Sequence, residues 1–230
     1  MRATGFEQRR REIETYFDHT ASAAWARLTS DAKLGRIRAT VRAGRDRMRA
    51  TLLGYLPETM DGATLLDAGS GTGALAMRAA TRGADVTAID LSPTLVTLAR
   101  QRAENDSVGK LRFLVGDMTD ATLGAFDHVV AMDSLIHYEC ADVVRVLAGY
   151  AERTHRSILF TFAPRTTLLA IMHAMGRLFP RGNRSPSIVP LAEADLRRRI
   201  QGSLPGWRIG RSERIASGFY TSQAMELVRV

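Results

Sequence analysis

The stretch Leu65-Leu66-Asp67-Ala68-Gly69-Ser70-Gly71-Thr72-Gly73 constrains this chain more than any other. A short apolar run breaks into alternating glycines and then into an apolar helical pattern, which reads as strand, tight turn and helix. Glycine at 69, 71 and 73 permits positive φ and lets a ligand lie against the backbone, while the helix that follows presents its free N–H groups. The spacing is Gly-x-Gly-x-Gly, not the dinucleotide fingerprint Gly-x-Gly-x-x-Gly, and Asp67 stands just ahead of it. That carboxylate repels a pyrophosphate and attracts an ammonium group, so the loop suits a nucleoside cofactor that carries positive charge and no phosphate.

The chain downstream keeps an α/β rhythm. Thr64–Asp67 reads as the first strand, Ala74–Thr81 as a helix closed by Gly83, and Asp85–Asp90 as a β-branched second strand. Asp90 lies 17 residues beyond Gly73, a spacing that in a βαβ unit sets a carboxylate beside the glycine loop, where it can accept from both hydroxyls of a ribose. Ser92-Pro93 then supplies an N-cap and first-turn pair for another helix. Leu111–Val115 is a third strand, followed by Gly116-Asp117-Met118, where Asp117 can accept from an adenine amino group and Met118 can contact the ring. Phe126–Met132 is a fourth strand, Asp142–Ala151 a helix and Ser157–Phe162 a fifth strand.

Both ends of the chain depart from this rhythm. Residues 7–27 mix charge with Tyr16, Phe17 and Trp25 and read as a helix plus a second short helical piece, an arm over something. A further helix is expected from about Leu34 to Gly54, with N-cap candidates in Thr29-Ser30-Asp31. Pro164–Phe179 is an apolar helical stretch and Arg181–Pro190 a loop rich in Gly, Pro, Ser and Arg. Placed after the fifth strand, this insertion falls at the rim where cofactors bind, which suggests a lid or acceptor pocket as readily as core packing. Leu191–Ile200 reads as a helix, and Trp207–Ile215 and Ala224–Val228 as closing strands with a turn at Ser217-Gly218.

Composition narrows the partners. Residues 1–50 hold 12 Lys/Arg against 6 Asp/Glu, most of the chain's formal charge of +8, so an acidic partner or a solvated basic face is expected there. A single cysteine, Cys140, excludes an intrachain disulfide framework and a cysteine zinc site, and no metal centre is expected. The N-terminus lacks the apolar core of a secretory signal, and no run approaches the ~18 apolar residues of a spanning helix, so a cytoplasmic location is expected. Nucleic-acid binding is not expected, because the basic arm lacks base-stacking modules.

The D-x-G-x-G-x-G pattern resembles motif I of the class I methyltransferases, which bind S-adenosylmethionine. The resemblance implies an α/β, Rossmann-like fold with a seven-stranded, mostly parallel sheet, an antiparallel last strand, a helical N-terminal arm and a lid inserted after the fifth strand. It divides the chain into an arm and cap over 1–61 and a cofactor-binding domain over 62–230, with the insertion at about 164–190. The implied cofactor site is Asp67, Gly69, Gly71, Gly73, Asp90 and Asp117, lined by Leu91, Met118 and Met132.

A narrower resemblance rests on Tyr16-Phe17, Trp25-Ala26-Arg27-Leu28, Ile37–Arg45 and Met132-Asp133-Ser134-Leu135-Ile136-His137-Tyr138. These segments look like the magnesium-protoporphyrin IX O-methyltransferases of chlorophyll and bacteriochlorophyll synthesis, which esterify one propionate of the porphyrin. The resemblance implies His137 and Tyr16 as catalytic candidates, with Arg38, Arg42 and Arg45 as cations that steer a dianionic substrate. It also implies magnesium protoporphyrin IX as substrate, the large porphyrin-binding subunit of magnesium chelatase as a candidate partner, and peripheral association with the photosynthetic membrane. Oxygenic members often carry a tyrosine where Thr29 stands, so a phenol at that position does not carry over. Two other readings stay open at this point: a methyltransferase for another small acceptor such as a quinone precursor, and, more distantly, a nicotinamide dehydrogenase.

Overall fold

The computed structural model describes residues 2–16, 18, 35–106, 110–165 and 187–230. In chain order these form α1 (Arg2–Thr15), α2 (Arg36–Tyr55), β1 (Thr64–Ala68), α3 (Ala74–Thr81), β2 (Asp85–Asp90), α4 (Pro93–Asp106), β3 (Leu111–Val115), β4 (Phe126–Ala131), α5 (Cys140–Glu152), β5 (Thr154–Phe162), α6 (Glu193–Ser203), β6 (Trp207–Ser217) and β7 (Tyr220–Arg229). The strands make one sheet in the order β3-β2-β1-β4-β5-β7-β6. β1 to β5 pair in parallel, and β7 runs antiparallel to both β5 and β6. β7 is thus the one reversed strand of a seven-stranded, mostly parallel sheet.

Period-2 alternation explains how the sheet holds helices on both faces. Leu65, Val86, Ala88, Val130 and Leu159 point to a core with Met48 and Leu52 of α2, Leu75 and Ala79 of α3, and Val96 and Ala99 of α4. Leu66, Ile89, Val129, Ala131, Ile158 and Phe160 point the other way, onto Val143, Leu147 and Tyr150 of α5 and Leu196 and Ile200 of α6. The chain order reverses between β1 and β4, so their C-terminal ends diverge and open the crevice in which such sheets bind ligands.

Several boundaries differ from expectation for identifiable reasons. The N-cap of α2 is Gly35, whose side chain offers no oxygen; Thr29-Ser30-Asp31, expected to cap it, lies outside the described residues. β5 begins at Thr154, three residues early, because His155 and Arg156 are exposed and break the apolar pattern. β7 begins at Tyr220 because Ser222 and Gln223, although polar, are buried and hydrogen-bonded: Ser222 Oγ reaches Asp133 at 3.3 Å and Gln223 Nε2 donates to Ser212 Oγ at 3.0 Å. Nor does a helix start at Pro164, which instead makes a parallel bridge to Leu191. The rest of the expected insertion helix, and the second helical piece of the arm, fall almost wholly outside the described residues.

Candidate active site

The glycine loop is shaped by what surrounds it. The N–H groups of Gly69 and Ser70 both donate to the Ile89 carbonyl, at 2.9 and 3.0 Å, which ties the exit of β1 to the end of β2. Gly69, Gly71 and Gly73 all have positive φ, 81°, 55° and 76°. A Cβ on Gly69 would lie 2.5 Å from the Ser134 Cβ, so the loop after β4 packs directly on this turn. Gly71 N–H donates to Asp90 Oδ2 at 2.8 Å and Ser92 N–H to Asp90 Oδ1 at 3.0 Å. Asp90 therefore braces the turn with one oxygen and opens the next helix with the other, and each oxygen keeps a further lone pair.

A cavity opens over the C-terminal ends of the first four strands, with an acid from each: Asp67, Asp90, Asp117 and Asp133. Facing them are Arg45 and Arg49 from α2 and Arg10 from α1, so acidic floor and basic walls share one space. Asp67 is 2% exposed, and its Oδ2 has no hydrogen-bond partner among the described residues. Burial pushes its carboxyl up to about 7; the Ala76 N–H opposes this, the Asp90 charge adds to it and Arg49 offsets part. Burial also raises Asp90, against the N–H groups of Ser92, Gly71 and Leu91. A buried carboxylate oxygen without a donor is costly. The buried hydroxyls of Ser70 and Ser134 on the same walls are likewise without partners among the described residues. These acceptors fit a ligand that brings an ammonium group to Asp67 and hydroxyls to Asp90, as S-adenosylmethionine does.

α1 forms the outer wall. Phe6, Arg10 and Ile13 line the cavity, Phe6 stacks on Tyr138 with ring centroids 4.9 Å apart, and Arg10 is ion-paired with Asp117. Beyond the helix, Asp18 accepts from Ser92 Oγ at 3.1 Å and Thr94 Oγ1 at 2.8 Å, fastening the arm to the start of α4. Arg9 Nη1 donates to Ser187 Oγ at 2.9 Å, where the chain returns from the insertion.

The loop after β4 carries His137, 5% exposed and lining the cavity, with Nδ1 at 3.3 Å from the Ser187 carbonyl oxygen. A carbonyl only accepts, so Nδ1 carries the proton in this contact. Of the sequence-derived cofactor residues, Asp67, Gly69, Gly71, Asp90, Leu91, Asp117, Met118 and Met132 line the cavity. Gly73 does not: its α-carbon packs on Phe113 and Ala99, so its lack of a side chain serves helix–sheet packing. Tyr16 is half-buried and is not among the lining residues. Sequence reasoning gave no site role to Phe6, Arg10, Ile13, Arg49 or Asp133. The first four sit on helices separated in sequence from the loop, and only the fold brings them there. Asp133 did carry a signal, as a fourth acid after a fourth strand.

A glycine loop braced by Asp90, acids at successive strand ends and a single reversed strand define a class I methyltransferase. Residues 65–155 match the family described as Methyltransferase domain, and residues 131–229 match Magnesium-protoporphyrin IX methyltransferase C-terminus. The magnesium-protoporphyrin O-methyltransferase of Rhodobacter capsulatus is 48% identical over 218 residues, 94% of this chain and 95% of that protein. The crystal structure of magnesium protoporphyrin IX methyltransferase from Synechocystis PCC 6803 with bound SAH superposes with a TM-score of 0.81 at 28% identity, covering 95% of this chain and 98% of that one. A ubiquinone biosynthesis O-methyltransferase of Xanthomonas oryzae is 35% identical, but over 56% of this chain only. The chain belongs to the magnesium-protoporphyrin O-methyltransferase family.

Proposed function

We propose that this enzyme methylates a propionate carboxylate of magnesium protoporphyrin IX with S-adenosylmethionine as donor, giving the monomethyl ester used in (bacterio)chlorophyll synthesis. The observation that carries the cofactor half is the buried Asp67 carboxylate oxygen that lacks a donor beside the glycine loop; family membership carries the acceptor half. The bound cofactor supplies an electrophilic methyl group on a cationic sulfur. Everything else falls to the residues around it. Asp67 receives the ammonium group, Asp90 the ribose hydroxyls, and Leu91, Met118 and Met132 the apolar surface. A propionate is already ionised near neutral pH, with a carboxylate pKa near ~4.5. The protein therefore has to orient and desolvate the nucleophile, and fixing two reactants in line can lower a barrier by several kcal/mol, up to about 7–11. His137 is the orienting group in this reading. Tyr16, carried by the arm, shields the site.

The basic excess of residues 1–50 supports contact between the arm and an acidic partner. The large porphyrin-binding subunit of magnesium chelatase and an anionic membrane surface are the partners this reading names. No helix among the described residues is long and apolar enough to cross a membrane, so membrane contact in this reading is peripheral. The test is turnover of purified protein with methyl-labelled S-adenosylmethionine, offered magnesium protoporphyrin IX beside a panel of phenolic quinone precursors. Label in the porphyrin monoester is the expected result; label in a phenol alone would replace the acceptor and leave the cofactor assignment standing.

A further inference from the structure

Asp133 adopts φ 54°, the only residue other than glycine with positive φ among the described residues. Its backbone leaves β4 in the left-handed region, a conformation that costs energy outside glycine and is best tolerated by Asp and Asn. The turn aims its side chain, 6% exposed, into a ring of donors. Arg45 Nη1 lies 3.0 Å from Oδ2, Tyr220 Oη 3.1 Å from Oδ1, Thr161 Oγ1 3.2 Å and Ser222 Oγ 3.3 Å from the same oxygen. The Asp133 N–H itself donates to Thr161 Oγ1 at 2.7 Å. Residues of α2, the turn after β4, β5 and β7 thus converge to fix one arginine, and that arginine lines the same cavity as Ser134 and His137. Of the two arginines named with it from the sequence, Arg38 is exposed and Arg42 is not among the cavity-lining residues, whereas Arg49, one turn further along α2, lines the cavity and is the cation that acts on Asp67.

We infer that Arg45 is the receptor for the acceptor's carboxylate and that Asp133 is its positioning residue. A guanidinium held by a fixed carboxylate has its plane set, and a planar guanidinium matches carboxylate geometry. Asp133 also keeps the cation from being an unpaired charge in a closed space before the acceptor arrives. Recognition of an anion at this point selects a free propionate over an esterified one, so methylation neutralises the carboxylate held here while the monoester keeps its charge at the other propionate. The inference rests on the acceptor being the porphyrin propionate.

The experiment compares magnesium protoporphyrin IX with its dimethyl ester, which keeps the macrocycle and removes both charges. Binding of each is followed by fluorescence, S-adenosylhomocysteine binding by calorimetry, and folding by thermal melting. The variant is Arg45→Met with Asp133→Asn, which removes both charges together and leaves neither buried alone; Arg45→Lys is the second variant, keeping charge without the fork. The double variant is expected to lose roughly 10- to 100-fold in affinity for the diacid, the range of one charge-assisted hydrogen bond, while the diester and S-adenosylhomocysteine bind as before. Asp133→Asn alone, which tolerates the same backbone conformation, is expected to raise KM for the diacid several-fold and leave KM for S-adenosylmethionine unchanged. Equal losses for diacid and diester, no loss for either, or a loss confined to S-adenosylhomocysteine would each overturn the inference; the last would give Arg45 to the cofactor's own carboxylate. Absence of wild-type turnover on the porphyrin would instead overturn the proposed acceptor.

Discussion

Arg10 of α1 is ion-paired with Asp117, the acid that follows β3. The Asp117 carboxylate also accepts from the Thr119 N–H and hydroxyl, both at 2.8 Å, through its other oxygen. The carboxylate assigned by sequence to an adenine amino group is thus held by the arm, and the arm's own side chains wall the cavity. On the proposed cofactor assignment of Asp117, cofactor entry and arm position are coupled through one carboxylate.

The first prediction follows from that coupling. Both partners are about one-quarter exposed, so the pair stabilises the closed arm by roughly 0.2–1 kcal/mol. Arg10→Ala should speed amide exchange in α1 by up to about fivefold in the ligand-free protein. It should also raise the association rate of S-adenosylhomocysteine in stopped-flow measurements. Unchanged rates on both counts would separate the arm from cofactor entry.

Asp67 gives a pH dependence with a definite sign. Its folded carboxyl is raised from 3.8 to about 7, so between those values the native state holds more protons than the unfolded one. Ligand-free stability therefore falls as pH rises through that window and is lowest above it. Cofactor binding runs the other way, because an ammonium group needs the ionised carboxylate. Affinity for S-adenosylhomocysteine should rise from pH 5.5 to about 7, by at most about tenfold per unit, with proton release visible by calorimetry in buffers of different ionisation enthalpy. Asp67→Asn should flatten that slope, weaken binding and raise the melting temperature at pH 8. A slope that survives unchanged would move the linkage to another group, Asp90 being the next in line since burial raises it too.

The glycines separate by what their hydrogens face. Gly69 and Gly73 both carry positive φ, but a Cβ on the first would meet Ser134 at the cavity and on the second the Phe113 ring at 2.7 Å in the helix–sheet contact. Alanine at 69 is expected to abolish cofactor binding in a folded protein, because it displaces the loop that carries Ser134 and His137. Alanine at 73 is expected to lower the melting temperature by several degrees, with cofactor affinity in the surviving folded fraction within a few-fold of wild type. Equal loss of affinity in both would restore Gly73 to the ligand surface.

That contrast marks how far the sequence is legible. β1, β2, β3 and β4 announce themselves as short, largely apolar and β-branched runs that each follow a glycine by two residues, and their boundaries hold to within one residue. The acids after them are legible because a polar residue ending such a run has few places to go other than the crevice. Tyr220 and Ser222 are not legible, since their hydroxyls are satisfied by Asp133 and a strand with polar residues turned inward looks like a loop; Thr161 falls in the expected fifth strand, but nothing in the sequence joins it to Asp133. Arg45 is legible only as one of several cations on a helix; what singles it out is a carboxylate 88 positions later in the chain.

The last prediction concerns His137. With Nδ1–H directed at the Ser187 carbonyl, a neutral ring turns an acceptor lone pair toward the other side, which repels a carboxylate; a doubly protonated ring donates there. A histidine that orients an anion therefore acts as the imidazolium, whereas one that removes a proton acts as the neutral base. The nucleophile is already ionised, so orientation is the expected role. His137→Asn, which keeps a donor, should then retain much more single-turnover activity at saturating substrate than His137→Phe. Proton abstraction predicts instead that the Asn and Phe variants fail alike by the ~10²–10⁴-fold typical of a lost general base, because an amide accepts no proton near neutrality.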